Sequence, residues 1–197
     1  MENYIKDIQD IKKMMDRSSQ FLSLSGISGI MAGIYALAGA YLVHHVAEEK
    51  YTLESLTFKY ILLIAAAVLI LSVSTALLLT LKKARKSGDM IWSSTSKRLL
   101  ANFMIPLCTG GIFALLLIKN HYYGLIAPIT LIFYGLSCVN ASKYTLRDVR
   151  YLGLTMIIIG LFATWFMGYG LEFWALGFGG CHIVYGTVMH FKYDRKQ

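Results

Sequence analysis

Residues 172–190 read EFWALGFGGCHIVYGTVMH, an apolar run with a single imidazole, His182, near its middle. Helical spacing from His182 meets Gly179, Ala175 and Gly186, so the imidazole shares a face with almost no side-chain bulk. A face of small residues lets two helix backbones approach closely. A run of this length and polarity also sets the fold, because it is long enough to cross a hydrocarbon core of about 30 Å.

Five more runs like it fill the chain. The six lie at about 21–46, 56–81, 99–118, 122–141, 151–168 and 171–190. Of the 197 residues 56% are hydrophobic and 15% charged, where a soluble domain carries about 25% charged residues. Backbone groups in a bilayer must pair within their own segment, so the runs are read as helices. The fold class expected is all-α, a polytopic membrane protein of six transmembrane helices in a bundle of three helical hairpins. Residues 21–197 form this one domain. The preceding segment, 1–20, spaces Ile5, Ile8 and Met15 at helical intervals among charged residues, and is read as a cytoplasmic amphipathic helix. It lacks the apolar centre of a signal peptide.

The net charge of +8 is placed asymmetrically. All 19 basic residues except Lys50, Lys59 and Lys119 fall before the first run, after every second run, or at the C-terminus. By the positive-inside rule both termini are cytoplasmic, and the expected location is a multi-pass protein of the inner, or plasma, membrane. The partners expected are the bilayer itself, with anionic headgroups at the cytoplasmic face, and a second copy of the chain or another protein. Nucleic acid is not an expected partner, and no cofactor is called for. Cys108, Cys138 and Cys181 lie inside runs without a C-x-x-C spacing and read as packing residues.

Small residues recur in the first run. Ser25, Gly29 and Gly33 form one row, and Ser28, Ala32, Ala36 and Ala40 a neighbouring one. This helix is expected at the centre of the bundle. The second run is apolar on all sides and is expected to face lipid. Pro106 and Pro128 each remove a backbone hydrogen bond and free a carbonyl. Ile132-Phe133-Tyr134-Gly135 echoes Ile183-Val184-Tyr185-Gly186, as a duplicated hairpin would.

The stretches RSSQFLSLSGISGIMAG, FYGLSCVNASKYT and GFGGCHIVYG together resemble an uncharacterised family of small bacterial six-span integral membrane proteins. The resemblance covers most of the chain and implies architecture only, with no known activity and no functional residues.

Four chemistries are weighed. His182, Tyr134, Tyr185 and Ser28 are candidates for a ligand site or a polar helix clasp. Ser28 lies in Gly26-Ile27-Ser28-Gly29, similar to the G-x-S-G of rhomboid intramembrane proteases, and its depth matches that of His182. Ser28 and His182 are thus the remote candidates for an intramembrane hydrolase. The serine stands on the first span, however, where the rhomboid pattern wants the fourth. His44 and Glu48, and His45 and Glu49, are spaced i,i+4 in the first outward connection and are candidate metal ligands. No Asp falls inside any run, which counts against ion-coupled transport. The leading expectation is a non-enzymatic module binding a partner or small ligand within the bundle. A small transporter or channel with a path beside His182 is the alternative.

Overall fold

The computed structural model describes residues 24–48, 54–87 and 91–195. The amphipathic helix expected over 1–20 lies outside them, as does Glu49. Among the described residues there is no strand, and five helices are long and apolar enough to cross a membrane. These are α1 (Gly26–Glu48), α2 (Glu54–Ser87), α3 (Ser94–Lys119), α4 (Ile126–Ala141, entered through a 3₁₀ turn at Tyr123–Leu125) and α5 (Asp148–Trp165). The last rod, residues 170–194, is helical throughout but changes its winding. Two α segments, α6 (Gly170–Trp174) and α7 (His182–Met189), alternate with π-helical turns at Ala175–Cys181 and His190–Asp194.

Sequence explains several boundaries. Ser93 caps α3 in a reciprocal box with Ser96, the two backbone–hydroxyl bonds each 3.1 Å. The α3–α4 turn places His121 at φ 63°, and the α5–α6 turn places Gly168 at φ +105°, where a residue without Cβ is unstrained. Pro128 does not act as expected. It falls in the first turn of α4, where an absent N–H is tolerated. Pro106 does lie inside α3. Its missing N–H leaves the Asn102 carbonyl without an intrahelical donor, and the Asn140 side-chain amide on α4 supplies one at 2.9 Å. Hydroxyls elsewhere bond back into their own helix: Ser137 to the Phe133 carbonyl at 2.8 Å, Thr187 to Ile183 at 2.7 Å. That is how a polar side chain is accommodated where water is excluded.

Helix contacts are set by glycines. A methyl group on Gly186 would lie 2.5 Å from Ile30 N and 2.6 Å from the Gly26 carbonyl oxygen, so α1 and the rod touch backbone to backbone. A methyl on Gly135 would lie 2.6 Å from the Gly153 carbonyl oxygen, the same closeness between α4 and α5. The two glycines of the echoed motif thus both mark a helix crossing. The most extensive pairings join α4 to α5, α3 to α4, and α1 to both α2 and the rod. The rod follows α5 in sequence, yet its largest neighbour is α1. The core lies between α4, α5 and the rod, around fully buried Leu131 and Met156. α4 exposes little besides Leu136, whereas the apolar stretch of α2 has no buried residue and packs chiefly on α1.

Hydrogen bonds show which helix ends lie together. The Gly26 N–H donates to Asp194, Lys192 donates to Asp148, and Asn140 donates to Asn102. At the other end the Phe58 ring meets Tyr123 at 5.4 Å, and Gly170 faces Ala127. The exposed cations Lys82, Arg85, Lys86, Lys97, Arg98, Lys143, Arg147, Arg150 and Arg195 therefore share the first end.

Candidate functional site

The π-helical turn Ala175–Cys181 contains Gly177, Gly179 and Gly180. A wider turn brings side chains and carbonyls five residues apart into register, and such segments occur often at functional sites. Here the carbonyl five residues before His182 belongs to Gly177, and it lies 3.2 Å from His182 Nδ1. A carbonyl only accepts, so Nδ1 carries the hydrogen and Nε2 holds the lone pair. Tyr134 on α4 then donates its hydroxyl proton to Nε2 at 2.8 Å.

This chain of donors is wrapped in rings. Phe178 stacks on His182 with centroids 5.8 Å apart, Trp174 continues the column one turn back, and Tyr134 touches both His182 and Phe178. Phe103 of α3 meets Tyr134 edge-on at 5.9 Å. His182 is 6% exposed. Both of its nitrogens are consumed inside the protein, so neither is free to act as a base or ligand.

The other candidates lie elsewhere. Ser28 donates to the Ser25 carbonyl at 2.6 Å, within the first turn of its own helix, and makes no hydrogen bond to His182. Tyr185 packs against the α4–α5 core rather than on the imidazole. His44 and His45 are exposed near the end of α1, with the His45 ring edge-on to Tyr41. The Glu48 side chain and Glu49 are outside the described residues. Among the described residues no three His, Cys, Asp or Glu side chains come together as a metal would require.

One polar site was not anticipated. Asp194, at the end of the rod, takes Lys83 of α2 at 2.7 Å and the Gly26 N–H at 2.9 Å, while His190 Nδ1 stands at 3.2 Å. Lys83 also donates to the Leu24 carbonyl at 3.0 Å. The carboxylate thus caps the N-terminus of α1 from another helix, where the helix dipole favours negative charge. Burial pushes the Asp194 carboxyl up, but the hydrogen bonds from Lys83 and His190 outweigh it and hold the group below its usual value. A second pair ties the same rod end to α5. Lys192 sits 2.8 Å from Asp148, whose hydrogen bond pushes the ammonium up, and Tyr193 donates to the same carboxylate. The sequence signal was present in His190-x-x-x-Asp194, a histidine and an acid one turn apart just after the last run. Among so many cations it read as part of a basic tail.

Compared with protein-family models, with curated proteins and with solved structures, the chain matches none.

Proposed function

We propose that the chain is a non-enzymatic integral membrane module that recognises a partner or a small ligand, with His182 and Tyr134 serving as the clasp of its helix bundle. One observation carries this reading: each hydrogen-bonding atom of His182 already has a partner within the fold. A catalytic imidazole needs a free lone pair facing its nucleophile, and Ser28 bonds to its own helix.

Residues 171–190 of the rod are assigned as a sixth span, with the basic end of the bundle in the cytoplasm of a bacterial cell and the chain in its inner membrane. Support for this sidedness comes from the exposed cations gathered at one end, since charges of this sign are retained on the cytoplasmic side. The two described carboxylates there, Asp148 and Asp194, are engaged by Lys192 and Lys83. The other cations are left to face anionic headgroups. Lys97 over the Trp92 ring and Arg195 over Phe191 pair a headgroup-reaching charge with an interfacial ring.

Transport is the second reading. It is favoured by the polar side chains of Tyr193, Tyr185, Cys138 and Tyr134, which gather in the core beside His182, with Tyr193 bonded to Asp148 at the basic end. Proteoliposomes separate the two. The module reading expects no flux of ions, small solutes or lipid above empty liposomes, with His182→Phe changing thermal stability alone. Flux that is present in the parent protein and lost in His182→Phe would replace it with the transport reading.

A further inference from the structure

Two helix pairs in the bundle cross in the same way. A methyl on Gly186 of the rod would meet two backbone atoms of α1, the Ile30 nitrogen at 2.5 Å and the Gly26 carbonyl oxygen at 2.6 Å. A methyl on Gly135 of α4 would meet the matching two atoms of α5, the Ile157 nitrogen at 3.0 Å and the Gly153 carbonyl oxygen at 2.6 Å. The match continues along each crossing, seen from the other helix. A methyl on Gly33 would meet Ile183 Cγ1 at 2.6 Å and the Gly179 carbonyl oxygen at 2.7 Å. One on Gly160 would meet Ile132 Cγ1 at 2.6 Å and the Pro128 carbonyl oxygen at 3.0 Å. Each crossing thus sets Gly-x-x-x-Ile-x-x-Gly on one helix against Ile-x-x-Gly on its antiparallel partner, small residues admitting the close approach.

These contacts fix an alignment that sequence alone leaves open. Residues 26–36 of α1, GISGIMAGIYA, fall position for position on residues 153–163 of α5, GLTMIIIGLFA. Gly26 and Gly153, Ile30 and Ile157, Gly33 and Gly160, and Ala36 and Ala163 are identical, and Ser28 for Thr155 and Tyr35 for Phe162 exchange like for like. Ala36 and Ala163 are both buried. On the facing helices Ile183-Val184-Tyr185-Gly186 falls on Ile132-Phe133-Tyr134-Gly135. A duplicated hairpin would make α5 and the rod the copy of α3 and α4. The packing differs from that: Gly110 of α3 meets the Phe133 side chain, and Gly177 of the rod meets the Met156 side chain of α5, with no backbone atom among the nearest contacts of either.

We infer that the bundle holds two copies of one helix-pairing unit, α4 with α5 and the rod with α1, the second copy being divided between the two ends of the chain. Those ends are joined where the Gly26 N–H donates to Asp194. The alignment also places His182. It stands where the other copy has Leu131, and Tyr134 stands where the other has Tyr185. The hydrogen bond from Tyr134 to His182 therefore runs from one unit to the other, as does the pair of Lys192 with Asp148, whereas the glycine crossings lie within the units. The inference rests on the crossings and not on the function assigned above, so flux in proteoliposomes leaves it untouched.

Glycine-to-alanine variants of the full chain, followed by thermal unfolding in detergent, test it. Gly26→Ala and Gly153→Ala form one matched pair, Gly33→Ala and Gly160→Ala a second, Gly186→Ala and Gly135→Ala a third. Each variant is expected to lower Tm by about 5 °C, and the members of a pair to agree within about 3 °C. Double variants show which helices share a crossing. Gly186→Ala with Gly26→Ala should cost less than the sum of the two, and so should Gly135→Ala with Gly153→Ala, because a crossing already forced apart accommodates a second methyl. Gly186→Ala with Gly135→Ala should be additive. His182→Leu, which installs the residue of the other copy, should lower Tm and leave both couplings as they are. The inference is overturned if Gly186→Ala couples to Gly153→Ala instead of Gly26→Ala, or if the members of a matched pair differ by more than about 3 °C.

Discussion

Asp194 acts on three segments at once. It accepts from the first N–H of α1, pairs with Lys83 of α2, and stands one turn from His190 on its own rod. Side-chain exposures of 12% for Asp194 and 13% for Lys83 leave the pair little screening by water. Asp194→Asn is expected to cost about 2 kcal/mol at neutral pH, the scale of hydrogen bonds to a charged group. The effect has a defined pH dependence. The folded carboxyl lies below its ordinary value of 3.8, so its contribution is fully present above that value and is lost as pH falls through the lower, folded one. Thermal unfolding of parent and Asp194→Asn should differ by a constant amount from about pH 7 to 5, and the difference should close below about pH 4. A gap that persists unchanged at pH 3 would show that the charge is not what matters. Asn140 acts on one atom, the Asn102 carbonyl freed by Pro106. Asn140→Ala is expected to cost about 1 kcal/mol. Adding Pro106→Ala should recover most of that loss, because an N–H then returns to the helix. If the double variant is no more stable than Asn140→Ala, the proline and the asparagine are unrelated.

Among the elements, glycine decides which helices meet. Gly186 on the rod and Gly26 and Ile30 on α1 leave no room for a side chain at the crossing. Gly186→Leu should separate the helices and lower stability by about 3 kcal/mol or more. The same leucine at Gly111, where nothing lies within 4 Å, should change it by less than about 0.5 kcal/mol. Thermal unfolding in detergent measures both, and equal losses would contradict the packing described. The small rows of the first and last runs were legible in sequence, because backbone approach requires small residues at helical spacing. Which rows pair was not. α1 was expected at the centre of the bundle; it does contact two helices, but α4 is the more enclosed one. Side-chain volume shows that a face is smooth and not what lies against it. The winding of the rod was not legible either, since α and π turns use the same residues and differ in which carbonyl each N–H reaches.

At the scale of the molecule, composition and charge distribution carry most of the reading. Apolar runs of membrane-crossing length became helices, and most of the described cations fell at one end of the bundle because alternate connections lie there. The candidate site was legible in part. His182 and Tyr134 stood in one candidate set with Tyr185 and Ser28, but which of these pair was not legible, and the 2.8 Å contact depends on the π turns that sequence does not reveal. Ser28 was matched to His182 by depth alone, which says nothing about the direction in which a hydroxyl points. The claim on which the rest depends is that His182 holds helices together rather than performing a reaction. A double-mutant cycle of Tyr134→Phe and His182→Phe tests it most directly, because both changes keep the rings and remove the hydrogen bond. Thermodynamic coupling of about 1 kcal/mol between the two sites is expected in detergent or nanodiscs. Additive losses, with no coupling, would contradict the clasp.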